Sequence, residues 1–135
     1  GSEMCIRDRC KDNEQFEVIL VGGRLRHKTN TFVGSFANEI LNKIRVQSTF
    51  IGANGILNNN IMTSNEEEGE SQRIMLNNSI ERYLVCDYTK FEKEDFYTLY
   101  KLDDITAIVT EFDLDSDLKY KYSKYCKIIN SVRGE

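Results

Sequence analysis

Three short stretches of this 135-residue chain carry residue types that hold small oxygen-rich molecules, and each lies beside an apolar run. Phe50-Ile51-Gly52-Ala53-Asn54-Gly55-Ile56 runs into a glycine pair, Glu66-Glu67-Glu68-Gly69 opens an acidic helix, and Asp87-Tyr88-Thr89-Lys90-Phe91 follows a second apolar run. Each falls where a strand is expected to end, and strand ends of open α/β sheets are where small anionic ligands bind. The expected chemistry is the holding of a sugar phosphate. Lys90 offers a point charge with three donors, which suits a phosphate or a polarised hydroxyl, and Asp87 stands close enough to orient it. The plain alternative is a solvated lysine. Glutamates in the first turn of a helix interact favourably with its exposed N–H groups, for ~0.3–1 kcal/mol each, but a carboxylate at a sheet rim also accepts hydrogen bonds from sugar hydroxyls. Asn54-Gly55 reads equally as a ligand loop and as a type I′ turn between Phe50-Ile51 and Ile61-Met62. Gly22-Gly23 either lets backbone N–H groups approach an oxygen-rich ligand or simply makes a turn.

The elements that must position these groups are legible from periodicity. Residues 16–21 (FEVILV) are β-branched, continuously apolar and stopped by Gly22-Gly23, the pattern of a central strand buried on both faces of a parallel sheet. From Gly34 to Arg45, the residues Phe36, Ala37, Ile40, Leu41 and Ile44 recur at spacings of three and four and predict an amphipathic helix. Thr49 to Ala53 predicts a second strand. Ser64-Asn65-Glu66-Glu67 fits a capping box opening a helix to about Arg82, with Met75, Leu76, Ile80 and Tyr83 on its buried side. Tyr83 to Cys86 and Thr106 to Thr110 predict two more strands, with a mixed segment from Phe91 to Leu102 between them. A short helix is expected from Leu118 to Cys126 and a last strand from Lys127 to Val132. Alternating strands and helices favour a parallel α/β sheet.

Composition narrows the classes. At 40% apolar and 30% charged residues the chain reads as one ordinary globular domain. A net charge of −4 and a pI near 5.1, without a basic stripe, argue against this piece gripping nucleic acid by itself. No run approaches the ~18 apolar residues of a membrane helix and no secretory pattern opens the chain, so no membrane is expected and a cytoplasmic protein is. The four cysteines are irregularly spaced and His27 is the single histidine, so metal ligand sets are missing and no cofactor is expected. Cys86 reads as a small buried apolar residue. Asp113-Leu114-Asp115-Ser116-Asp117 opens like a calcium loop, but Leu118 stands where glycine is required and Lys124 where a bidentate glutamate is. The basic run Arg24-Leu25-Arg26-His27-Lys28 could face an anion, with a solvated loop as the plainer reading. Residues 1–13 are charged and aperiodic and read as a tag or unrelated leader, leaving 14–135 as one unit without an internal boundary.

In order and spacing, five segments resemble the C-terminal effector-binding domain of DeoR-family bacterial repressors, particularly the lactose phosphotransferase system branch. They are Val18-Ile19-Leu20-Val21-Gly22-Gly23, Phe32-Val33-Gly34-Ser35, Phe50 to Ile56, Met62-Thr63-Ser64-Asn65-Glu66-Glu67-Glu68-Gly69, and Leu84-Val85-Cys86-Asp87-Tyr88-Thr89-Lys90-Phe91. The resemblance covers roughly residues 16–112. It implies a Rossmann-like layered sheet of the ribose-5-phosphate isomerase and CoA-transferase type, with the family's first βα unit missing. It also implies a phosphorylated sugar, tagatose 6-phosphate in the nearest branch, as effector, and DNA contact only through an absent N-terminal helix-turn-helix. Lys90 and Gly22-Gly23 would then face anionic or hydroxyl oxygens, Gly52, Asn54 and Gly55 would line the pocket floor, Glu68 would hold sugar hydroxyls, and Asp87 would orient Lys90. Related sugar-phosphate enzymes carry acids where Asn54 and Gly55 stand, and neither residue can abstract a proton, so binding without catalysis is expected, with an isomerase-like enzyme fragment as the rival. The family's usual Asp-x-Ser-Lys is Asp87-Tyr88-Thr89-Lys90 here, and Thr110-Glu111 replaces a common Thr-Asp. A missing first strand would leave a raw edge or face, so a homo-oligomer or reduced stability is expected.

Overall fold

Four runs rich in β-branched and aromatic residues pair side by side, all parallel: β3 (Val46–Ile51), β6 (Ser79–Val85), β8 (Ala107–Val109) and β9 (Lys127–Ile129), in the order β3-β6-β8-β9. The computed structural model describes residues 14–15, 17–29 and 31–131. Before the parallel sheet come a small hairpin, β1 (Arg24–Arg26) with β2 (Thr31–Val33), and the helix α1 (Ser35–Leu41). Between β3 and β6 the chain makes the hairpin β4 (Gly55–Leu57) and β5 (Asn60–Thr63), then α2 (Glu66–Asn77). After β6, the strand β7 (Tyr97–Lys101) joins β5 antiparallel to complete a three-stranded sheet, and α3 (Ser116–Ser123) connects β8 to β9. This is a Rossmann-like α/β architecture, with parallel strands joined by crossovers.

Register explains where the core sits. Ile51 lies beside Leu84, Leu84 beside Ile108, and Ile108 beside Ile128, so one buried row crosses the whole parallel sheet. Against it pack Leu76 of α2, Tyr122 of α3, Leu114, and Ile56, Ile61 and Leu99 of the antiparallel sheet. Burying such side chains contributes about 1.5–3 kcal/mol each, which makes this row the main stabilising feature. Alternation puts Val46, Phe50, Tyr83 and Val85 on the opposite face. There Phe50 stacks on Tyr83 with ring centroids 5.0 Å apart yet remains 64% exposed. Parallel sheets are normally covered on both faces, and among the described residues this one is covered on one.

Several expected elements differ. Residues 17–21 form no strand, and Ile19 is 72% exposed with Val18 and Leu20 also open. Phe16 lies outside the described residues. A strand needs a neighbouring edge to take its N–H and C=O groups, and among the described residues this run pairs with none; its side chains line a cavity beside α1 and α2 instead. The helix expected over 34–45 stops at Leu41. It buries Ala37, while Phe36 is 74% exposed, because α1 packs on α2 and β2 through a narrow face.

The helix expected to reach Arg82 ends at Asn77. Asn78 returns its N–H to Ile74 and Met75 and donates its side-chain amide to the Leu41 carbonyl at 2.9 Å, while the Ser79 hydroxyl donates to the Leu76 carbonyl at 2.9 Å. Ile80 and Tyr83 therefore belong to β6, and Ile80 is 74% exposed instead of lying on a buried helix side. The strand expected over 49–53 is shifted earlier, to Val46–Ile51. The mixed segment Phe91–Leu102 contains β7, a strand whose place is decided by pairing with β5. The tail follows expectation, with a helix at Ser116–Ser123 and a strand at Lys127–Ile129; Val132 lies outside the described residues, as do residues 1–13. The hairpin exists, but it turns at Asn58-Asn59 rather than Asn54-Gly55. Asn58 takes φ 53°, a left-handed conformation that asparagine tolerates.

Candidate functional site at the carboxyl rim of the parallel sheet

Because β3, β6 and β8 run in the same direction, their carboxyl ends open on one rim. Gly52 leaves β3 there, Cys86-Asp87 leave β6, and Thr110-Glu111 leave β8. A Cβ on Gly52 would stand 3.9 Å from the Val85 carbonyl oxygen, so the first two strand ends adjoin. Asn54 donates its backbone N–H to the Met62 carbonyl at 3.0 Å and accepts from the Thr63 hydroxyl at 3.3 Å, which fixes this turn against β5. Gly55 is buried, and a Cβ there would meet the Lys93 carbonyl oxygen at 2.4 Å. Glycine is required at that position by packing, with no appeal to a ligand.

The segment after β6 is a tight 3₁₀ turn, Tyr88–Lys90. Asp87 caps it, accepting from the Thr89 N–H at 2.8 Å and from the Thr89 hydroxyl. Those bonds hold the Asp87 carboxyl below the usual carboxylate range, the hydroxyl contributing most and Lys90 adding a smaller coulombic pull. Asp87 thus shapes the turn that carries Lys90, and its side-chain bonds go to Thr89. Lys90 is half-buried, and the next residue, Phe91, is a core side chain whose ring meets Tyr122 edge-on at 5.2 Å. Cys86 is pushed up to about 12, first by burial and then by the Asp87 and Glu111 carboxylates, so its thiol is inert at neutral pH.

Glu68 lies at the other end of the site. Asn65 is the helix cap, accepting from the Glu68 N–H at 3.0 Å, while the Glu67 carboxylate pairs with Arg24 instead of closing a capping box. Glu68 Oε1 accepts from the Thr31 hydroxyl at 2.8 Å, from the Thr29 hydroxyl, and from Arg26 at 3.4 Å. It lines a cavity of about 450 Å³ together with the polar Thr29, Thr31, Ser71 and Gln72 and the apolar Val18 to Val21, Val33 and Met75. Gly22 and Gly23 adjoin that cavity after Val21. A Cβ on Gly23 would stand 2.8 Å from the Val33 carbonyl oxygen and 2.9 Å from Ala37, so Gly23 is a close-packing glycine, whereas Gly22 has open space above it.

The expected residues therefore fall into two neighbouring groups. Gly52, Asn54, Asp87 and Lys90 gather at the rim, while Glu68, Gly22 and Gly23 flank the cavity, and Gly55 is taken up by the core. Thr63 adjoins both groups: it bonds Asn54, and its methyl would be 3.0 Å from a Cβ on Gly69, the residue after Glu68. Three participants were not anticipated, namely Thr29, Thr31 and Thr63, and Glu111, standing where the family commonly has Asp, was given no role. Glu111 had a readable signal, since it follows the apolar run Thr106–Thr110 as Asp87 follows Tyr83–Cys86. Among the described residues no three histidine, cysteine or carboxylate side chains converge as metal ligands, and no helix is long and apolar enough to cross a membrane.

A parallel α/β sheet with charged and glycine-bearing turns at its carboxyl rim defines a small-molecule-binding domain of the Rossmann-like class. Residues 3–112 match the family described as the DeoR C terminal sensor domain, and the chain belongs to that family. Over 120 residues, 89% of this chain, it is 40% identical to the lactose phosphotransferase system repressor of Streptococcus mutans and 37% identical to that of Staphylococcus aureus (strain NCTC 8325 / PS 47). The corresponding Staphylococcus epidermidis repressor (strain ATCC 12228 / FDA PCI 1200) is 35% identical over the same length. The chain spans about half of these relatives, 47% of each.

Proposed function

We propose that this chain is the effector-binding portion of a bacterial sugar-metabolism repressor, and that a phosphorylated sugar binds along the rim running from Lys90 past Asn54 to Glu68. The observation that carries the reading is the gathering of Gly52, Asn54, Asp87 and Lys90 where three parallel strands end, beside a helix start bearing Glu68. Lys90 supplies the charge for the anionic or hydroxyl oxygens and Asp87 sets its turn. Gly22 admits oxygens near the backbone next to close-packed Gly23, Gly52 and Asn54 form the floor, and Glu68 takes sugar hydroxyls. That Glu68 already holds two threonine hydroxyls supports the last assignment, because the same carboxylate oxygen geometry suits a sugar diol.

Similarity to lactose phosphotransferase system repressors makes tagatose 6-phosphate the first effector to test, with DNA contacted through a helix-turn-helix in the part of the relatives that this chain does not span. The effector shifts a repressor only by binding one conformation better than another, so the site must differ between DNA-bound and released states. We place the protein in the cytoplasm and, from the open sheet face, in a homo-oligomer. A thermal-shift panel of phosphorylated and unphosphorylated hexoses tests the reading. Stabilisation by a phosphorylated ketohexose and none by its parent sugar is expected; equal response to both removes the phosphate from the proposal.

A further inference from the structure

We propose that Glu111 is a positioning residue of this site: reaching across from the end of β8, its carboxylate fixes the Asp87–Lys90 turn in the conformation that presents Lys90 to the ligand. The inference rests on the function proposed above and extends it to a residue outside the matched sugar-binding stretches. Asp87 and Tyr88 are both exposed, Tyr88 by 61%, while Thr89 and Lys90 are half-buried, so side-chain packing does not hold the first half of this turn. The bonds within it, from Thr89 to Asp87, from the Lys90 N–H to the Asp87 carbonyl at 3.2 Å and from the Phe91 N–H to the Tyr88 carbonyl at 3.2 Å, give it a shape but no place. Its ends are placed: the Cys86 N–H bonds the Val109 carbonyl at 3.1 Å, and the Phe91 ring is buried. Between those anchors, Glu111 Oε1 accepts the Tyr88 N–H, a charge-assisted bond from the neighbouring strand end.

The same bond decides what the turn offers a ligand. With the Tyr88, Thr89, Lys90 and Phe91 N–H groups each engaged, the turn is no backbone cradle for phosphate, and its contribution is the Lys90 ammonium. Glu111 therefore raises the demand on Lys90 while fixing where Lys90 stands.

The test compares the chain with its Glu111→Ala and Glu111→Gln variants in calorimetric titrations with tagatose 6-phosphate, alongside ¹⁵N relaxation of the free proteins. Glu111→Ala is expected to weaken binding on the order of tenfold, the worth of one hydrogen bond to a charged group, and to loosen the Tyr88 and Thr89 amides. Glu111→Gln keeps an acceptor and should recover most of both effects, which a general loss of packing would not allow. Equal binding by wild type and Glu111→Ala, or an unaltered turn in the relaxation data, overturns the positioning role. Failure of the wild type to bind instead sinks the function proposed above, and the relaxation data still decide whether Glu111 orders the turn.

Discussion

Cys86 is a compact gauge of the rim, because it stands between the core row and the charged turn. Burial, with Asp87 and Glu111 close by, raises its thiol to about 12, against roughly 8.5 in an unfolded chain. An acid whose folded value is raised binds its proton more tightly in the native state. Its stabilising contribution is therefore complete below about pH 8.5 and is lost as pH rises toward about 12. Labelling with a thiol reagent at about pH 8, read by peptide mass mapping, should find Cys86 slow in the folded chain and fast after denaturation. Labelling of Cys86 at the rate of an unstructured thiol would contradict its partly buried placement against the core. At this same scale the candidate site was largely legible: Gly52, Asn54, Asp87 and Lys90 are residues whose types interrupt apolar runs, and interruption is visible in sequence. Gly55 was misleading, since a glycine required by the Lys93 carbonyl looks the same in sequence as one required by a ligand.

At the scale of elements, α2 is held at its start by local chemistry and at its end by pairing with distant strands. Asn65 accepts the Glu68 N–H, so Asn65→Ala should cost about 1 kcal/mol of stability in a denaturant titration and loosen the Glu68 end first; no loss would mean that tertiary packing alone sets the helix start. This explains what could be read in advance. The helix start was legible because a cap and three glutamates announce it within four residues. The end was not, because Ile80 and Tyr83 keep helical spacing with Leu76, and only pairing with β3 and β8 assigns them to a strand. Residues 17–21 show the converse: their strand-like pattern needs a partner edge, and local sequence cannot say whether one is present. β7 stayed hidden for the same reason, since its register against β5 is a long-range fact.

The whole molecule presents a parallel sheet with one covered face and one bearing Phe50, Tyr83, Val46 and Val85, and β3 ends the sheet with an unpaired edge among the described residues. An open edge beside an apolar face favours association. Sedimentation of the 135-residue chain at micromolar concentrations should show dimers or larger species; a monomer that melts cooperatively on heating would refute this. The same sheet direction that leaves this face open brings three strand ends together, and the function proposed for the chain depends on that convergence. Its most direct test is calorimetric titration of the chain and its Lys90→Ala variant with tagatose 6-phosphate. Saturable binding by the chain and a loss of about tenfold or more in the variant is the predicted result, the scale of one charge-assisted contact. Undiminished binding by Lys90→Ala would contradict a phosphate-sensing rim centred on that lysine.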